Sequence, residues 1–97
     1  MQDERFEWDD KKAARNYKDH GVTFEYARCV FDDRFAADFE DTRADYGEQR
    51  FNIIAMSPAG VLLHVTYTER GDRIRIISAR RATKHETRLY TAERTSF

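Results

Sequence analysis

The chain has 97 residues, 40% hydrophobic and 36% charged, with a formal net charge of −1; this suffices for one hydrophobic core and not for two, so a single domain over residues 1–97 is expected. No apolar run approaches the ~18 residues of a membrane-spanning helix, and the amino terminus (Met1, Gln2, Asp3, Glu4, Arg5) lacks a signal peptide's apolar stretch, which predicts a cytoplasmic protein. Cys29 is the lone cysteine, which excludes an internal disulfide, and with three scattered histidines it makes no ligand set for structural zinc, so neither metal nor cofactor is expected.

The small net charge conceals an asymmetry. Residues 1–50 carry 14 Asp and Glu against 9 Lys and Arg, whereas residues 51–97 carry 4 against 8. The carboxy-terminal half is therefore basic and can present a phosphate-binding face, although a near-neutral whole steers long polyanions less than a basic one.

In chain order, Phe6, Glu7 and Trp8 alternate like a short strand, and Asp9 or Asp10 can cap the helix that follows. That helix is expected over Lys11 to His20, stopped by Gly21, with a narrow apolar stripe of Ala13, Ala14 and Tyr17. Lys12, Asn16 and His20 recur at steps of four and align along one side, the pattern of a solvated polar face. Thr23 can cap a second helix whose core side is Phe24, Ala27, Val30 and Phe31, ended by Asp32 and Asp33; Cys29 reads as a small core residue within it. From Phe35 to Arg43, Ala37 and Phe39 alternate with Asp38 and Glu40, as in a strand with one wet face near a sheet edge. Gly47 marks a turn.

Two stronger strands follow, Gln49 to Ser57 with Phe51, Ile53 and Ala55 alternating, and Val61 to Glu69 with Val61, Leu63, Val65 and Tyr67 alternating; Pro58, Ala59 and Gly60 form the hairpin loop between them. His64 falls on the polar face of its strand, a surface position. Arg70, Gly71 and Asp72 make the next turn, and Arg73 to Arg81 read as a strand with four arginines, antiparallel to its predecessor. Strict alternation puts Ile74, Ile76, Ser78 and Arg80 on one face and Arg73, Arg75, Ile77, Ala79 and Arg81 on the other. Thr83 and Glu86 form a capping box that opens a final helix, which packs through Leu89 and Tyr90 and frays near Arg94 to Phe97. The fold class expected is α+β: an antiparallel meander of about four strands, two helices before it and one after.

Several pieces of the chain, in the right order, resemble the BrnT family of toxins. They are F-E-W-D at Phe6 to Asp9, N-x-x-x-H-G-V-T-F from Asn16 to Phe24, G-E-Q-R-F at Gly47 to Phe51, and the run from Tyr67 to Glu86 with Tyr90 beyond it. The resemblance implies a RelE-like fold, ribonuclease toxicity that stops translation, and neutralisation by a BrnA-type antitoxin. Two positions depart from the family pattern: Asp19 stands where a lysine usually precedes the histidine, and Met56 where glycine is common.

Metal-free RNA cleavage requires a base for the 2′-hydroxyl, cations for the phosphate and an acid for the leaving 5′-oxygen. For a ribonuclease the candidate catalytic residues are His20, Arg75, Arg80 and Tyr90, with Lys12, Arg73 and Arg81 as RNA contacts. Each has a structural alternative. His20 can serve the helix end, Tyr90 can be packing, and Arg80 or Arg81 can tie the strand to Glu86 or Glu93. A different class of function also fits: a non-catalytic module whose arginine-rich strand binds an acidic partner, since arginine suits carboxylates as well as phosphates.

Overall fold

The structure is a computed structural model that describes residues 1–95, with side chains described through residue 92. The expected fraying near Arg94 to Phe97 therefore falls largely outside the described residues, and Glu93 lies outside the described side chains. Asp9 caps the first helix, α1 (Asp10–His20), accepting from the Lys12 amide at 3.0 Å, and Gly21 ends it at φ 70° with its N–H on the Tyr17 carbonyl. Thr23 caps α2 (Phe24–Ala27), which tightens at once into a 3₁₀ turn, Arg28–Asp32. That tightening corrects one expectation. With three residues per turn, Phe24, Ala27 and Val30 all point inward and are fully buried, and Cys29 is left exposed.

Five strands form one mixed sheet: β1 (Phe6–Glu7), β2 (Ala37–Glu40), β3 (Phe51–Met56), β4 (Leu62–Arg70) and β5 (Arg73–Arg81), in the order β1-β5-β4-β3-β2. The run from β2 to β5 is the expected antiparallel meander, closed between β4 and β5 by a two-residue loop whose first residue, Gly71, has φ 59°. β1 adds a parallel edge on β5, pairing Phe6 with Ile74 and Glu7 with Arg75. After it α3 (Lys84–Thr95) opens on the Thr83–Glu86 capping box, Glu86 N–H to Thr83 Oγ1 and Thr83 N–H to Glu86 Oε1.

Each face of the sheet has its own apolar cluster. Val22, Phe24, Ala27 and Val30 pack with Ile53, Leu63, Val65, Tyr67, Ile76 and Ala79 on the α1/α2 face; Tyr90 of α3 packs with Ala37, Ile54, Met56 and Leu62 on the other. Sheltering both faces of β3 leaves Asn52, Ile53, Ile54 and Ala55 all buried. His64 is buried for the same reason, at 7% exposure, so its face is not the solvated one the alternation implied. Phe39 is the opposite case. On the four-residue edge strand β2 it is 43% exposed and joins neither cluster.

A β-bulge in β5 decides where the arginines point. Thr66 pairs with Ser78 but Tyr67 with Ile76, which leaves Ile77 as an extra residue. Opposed residues of an antiparallel pair share a face, so Leu63, Val65 and Tyr67 lie with Arg81, Ala79 and Ile76, while His64, Thr66, Thr68 and Arg70 lie with Arg80, Ser78, Arg75 and Arg73. Strict alternation would have separated Arg80 from Arg73 and Arg75. The bulge reunites these three on the α3 face and leaves Arg81 alone on the other.

Candidate active site

The register of the β4–β5 hairpin sets His64 directly across from Arg80, and the capping box brings Glu86 over both. Arg80 grips Glu86 with a two-pronged pair, Nη1 to Oε1 at 2.8 Å and Nη2 to Oε2 at 2.9 Å. His64 Nε2 lies 3.7 Å from Glu86 Oε2, and its buried Nδ1 has no hydrogen-bond partner among the described residues. Burial alone would raise the Glu86 carboxyl, but the Arg80 fork and the Thr83 amide outweigh it and hold its pKa at about 2. Desolvation pushes the His64 imidazole below its ordinary 6.5, against the pull of Glu86. At neutral pH the cluster is thus a neutral histidine beside an ion pair.

A second network faces it. Asp41 is buried and takes two bonds from Arg43, Nε at 3.0 Å and Nη2 at 2.8 Å, with Tyr46 Oη at 3.3 Å and the Asn52 amide as further donors. The Arg43 hydrogen bonds hold the Asp41 carboxyl well below the usual carboxylate range. Most of the Arg43 side chain is solvent-exposed, and its Nη1 has no hydrogen-bond partner among the described residues. Between the two networks lies a cleft of about 370 Å³, lined by His64, Arg80, Glu86 and His85 on one side and Phe39, Asp41, Arg43 and Asn52 on the other. A larger groove, about 480 Å³, runs beside Phe6, Arg28 and Cys29, but its charges pair among themselves, Arg5 with Asp32 and Arg28 with Asp3, and it holds no histidine. The cleft on the α3 face is the site with groups for proton transfer and for anion binding together.

Comparison with known proteins identifies the family. A model of the ribonuclease toxin BrnT of type II toxin–antitoxin systems matches residues 8–86. The chain belongs to the BrnT family. Membership implies an antitoxin partner. In fold the chain is similar to the crystal structure of the Brucella abortus ribonuclease toxin BrnT, with a TM-score of 0.65 at 24% identity, over 84% of this chain and all of that one. No curated protein matches the sequence.

Set on the fold, the BrnT motifs separate into scaffold and cleft. In N-x-x-x-H-G-V-T-F, Asn16 is buried rather than solvated: its Nδ2 donates to the Val22 and Ala79 carbonyls and its Oδ1 accepts from the Ala79 amide, while Gly21, Thr23 and Phe24 supply a stop, a cap and core. His20 and Lys12 are exposed on α1, outside the cleft. Tyr90 is buried beneath α3 with its hydroxyl donating to Asp33 at 2.7 Å. Of the candidate arginines, Arg80 lines the cleft. Arg75 lies further along the same face, paired with Glu7 at 2.7 Å; Arg73 donates to the Asp3 carbonyl, and Arg81 is exposed on the opposite face. Sequence reasoning passed over His64 and Arg43. A register counted from the two-residue turn sets His64 opposite Ala79, and only the bulge at Ile77 brings Arg80 there, so the pairing was hidden in the sequence; nothing in the spacing announces Arg43 either.

Proposed function

We propose that this BrnT-family chain is an endoribonuclease that cleaves RNA without a metal ion, halts translation by doing so, and is neutralised by a BrnA-type antitoxin. One observation carries the reading: a neutral histidine, a carboxylate-braced arginine and a second, half-free arginine converge on a single cleft. In this scheme His64 takes the proton of the substrate's 2′-hydroxyl, and the new bond from O2′ to phosphorus forms as the bond to O5′ breaks. Arg80 and Arg43 stabilise the charge on the non-bridging oxygens, and His85, exposed at the start of α3, returns a proton to the leaving 5′-oxygen. The products are a 2′,3′-cyclic phosphate and a 5′-hydroxyl. Arg75 and Arg73, on the same face, contact phosphates of flanking nucleotides; Tyr90 supports the site by holding α3, and His20, Lys12 and Arg81 take no part. The rival reading, a non-catalytic module that binds an acidic partner through the arginine strand, is the weaker one, because it gives no role to the histidine set across from Arg80 in the cleft.

Cleavage should persist in EDTA, and a substrate with 2′-deoxy at the scissile position should resist it. Arg80→Ala removes a charge-assisted contact of ~1.5–3 kcal/mol and should slow cleavage by about one to two decades, with Arg80→Lys restoring only part, because lysine keeps the charge but not the fork. Thermal melting alongside separates lost chemistry from lost folding. A magnesium requirement, or a folded Arg80→Ala variant cutting at the wild-type rate, would overturn the scheme.

A further inference from the structure

Phe39 stands apart from the core. It belongs to neither apolar cluster, is 43% exposed, and sits on an edge strand where polar residues guard against unwanted pairing. Its place on the sheet is nonetheless specific. Phe39 pairs with Asn52, Asn52 with Thr66 and Thr66 with Ser78, so the ring begins a row across the α3 face, one step along from the His64–Arg80 row. Two strand spacings across and two residues along separate it from His64, about 12 Å between backbones. Leu89 of α3, 39% exposed, lines the same cleft.

We infer that Phe39 is the stacking platform for the nucleobase next to the scissile phosphate, with Leu89 as the apolar wall beside it; the inference rests on the cleft being the site of RNA cleavage. An aromatic face accepts any base, and such stacking contributes substantially to single-strand binding without choosing a sequence. The arginines Arg80 and Arg43 line the same cleft, so a nucleotide can set its phosphate between them and its base on the ring. Fixing the base also fixes the ribose, and with it the line of approach of the 2′-hydroxyl, so the platform serves geometry as well as affinity. An RNA base suits the patch better than a protein surface does, because one ring and one leucine are too small for a stable protein interface and are flanked by guanidinium groups.

The test uses a single-stranded RNA oligonucleotide carrying 2-aminopurine and 2′-O-methyl groups throughout, so that binding is read without cleavage. Wild-type protein should quench the 2-aminopurine fluorescence; Phe39→Ala should lose the quenching and bind about tenfold or more weakly, and Phe39→Trp should retain both. Because the ring is exposed, melting temperatures should be unchanged. If Phe39→Ala binds, quenches and cleaves like wild type, the platform is refuted while RNA cleavage stands. If wild-type protein neither binds nor cleaves RNA, the function on which the platform rests fails with it. If Phe39→Ala handles RNA normally but escapes inhibition by the antitoxin, the patch is a protein-docking surface and the inference is overturned.

Discussion

Glu86 meets three demands at once, capping α3, bracing Arg80 and facing His64, and this concentration makes the site sensitive to acid. Its folded pKa of about 2 lies below its ordinary 4.5, so its contribution to stability is complete above pH 4.5 and is lost as pH falls toward 2. His64 is shifted the same way, below 6.5: under that pH the unfolded chain gains a proton more readily than the fold, and stability declines as pH drops. The melting temperature should therefore fall in two stages, first below pH 6.5 and again below pH 4.5, where Asp41 adds to the loss. Circular dichroism at a series of pH values checks this. His64→Gln should flatten the first stage and Glu86→Gln should shrink the second to the part that Asp41 carries; acid limbs identical to wild type in both variants would show that neither group carries the dependence.

At the level of single elements, β5 is where local pattern and final structure part. The pattern located the strand, its turn and its helix cap, because each is written in nearest neighbours: Gly71 for the loop, alternating isoleucines for the strand, Thr83 and Glu86 for the cap. It missed the bulge, since an extra residue shows itself only against a partner strand, and the assignment of Arg80 to a face failed for that reason alone. Deleting Ile77 should turn the bulge into a regular ladder and leave the faces as they are, with Ile74, Ile76 and Ala79 on the core side and Arg73, Arg75 and Arg80 together on the other. Thermal melting and cleavage assays should both stay close to wild type, and a deletion variant that lost both would show that the bulged residue itself is needed. The burial of His64 and Asn16 was hidden similarly: each looks polar and surface-bound in its own element, and becomes interior only when α3 or β5 is laid against it.

For the whole molecule, Arg75 on Glu7 and Arg70 on Glu48 tie the basic half to the acidic one, while Arg28 on Asp3 and Arg5 on Asp32 join distant parts within the acidic half. The face left open toward solvent is the cleft beside α3, and an antitoxin that neutralises the chain is expected to cover it. Co-purified with its antitoxin, the chain should cleave RNA far more slowly than alone; a stable complex that cleaves at the free rate would exclude masking of the site. Asn16 carries a different consequence. β1 pairs with only Ile74 and Arg75, so further along, the outer edge of β5 is closed by one side-chain amide that imitates a neighbouring strand at Ala79. When α1 lifts away, an isoleucine-rich strand presents bare N–H and C=O groups to whatever chain is nearby. Without that single asparagine, the outer edge of β5 at Ala79 would be open to pairing with the strand of another chain.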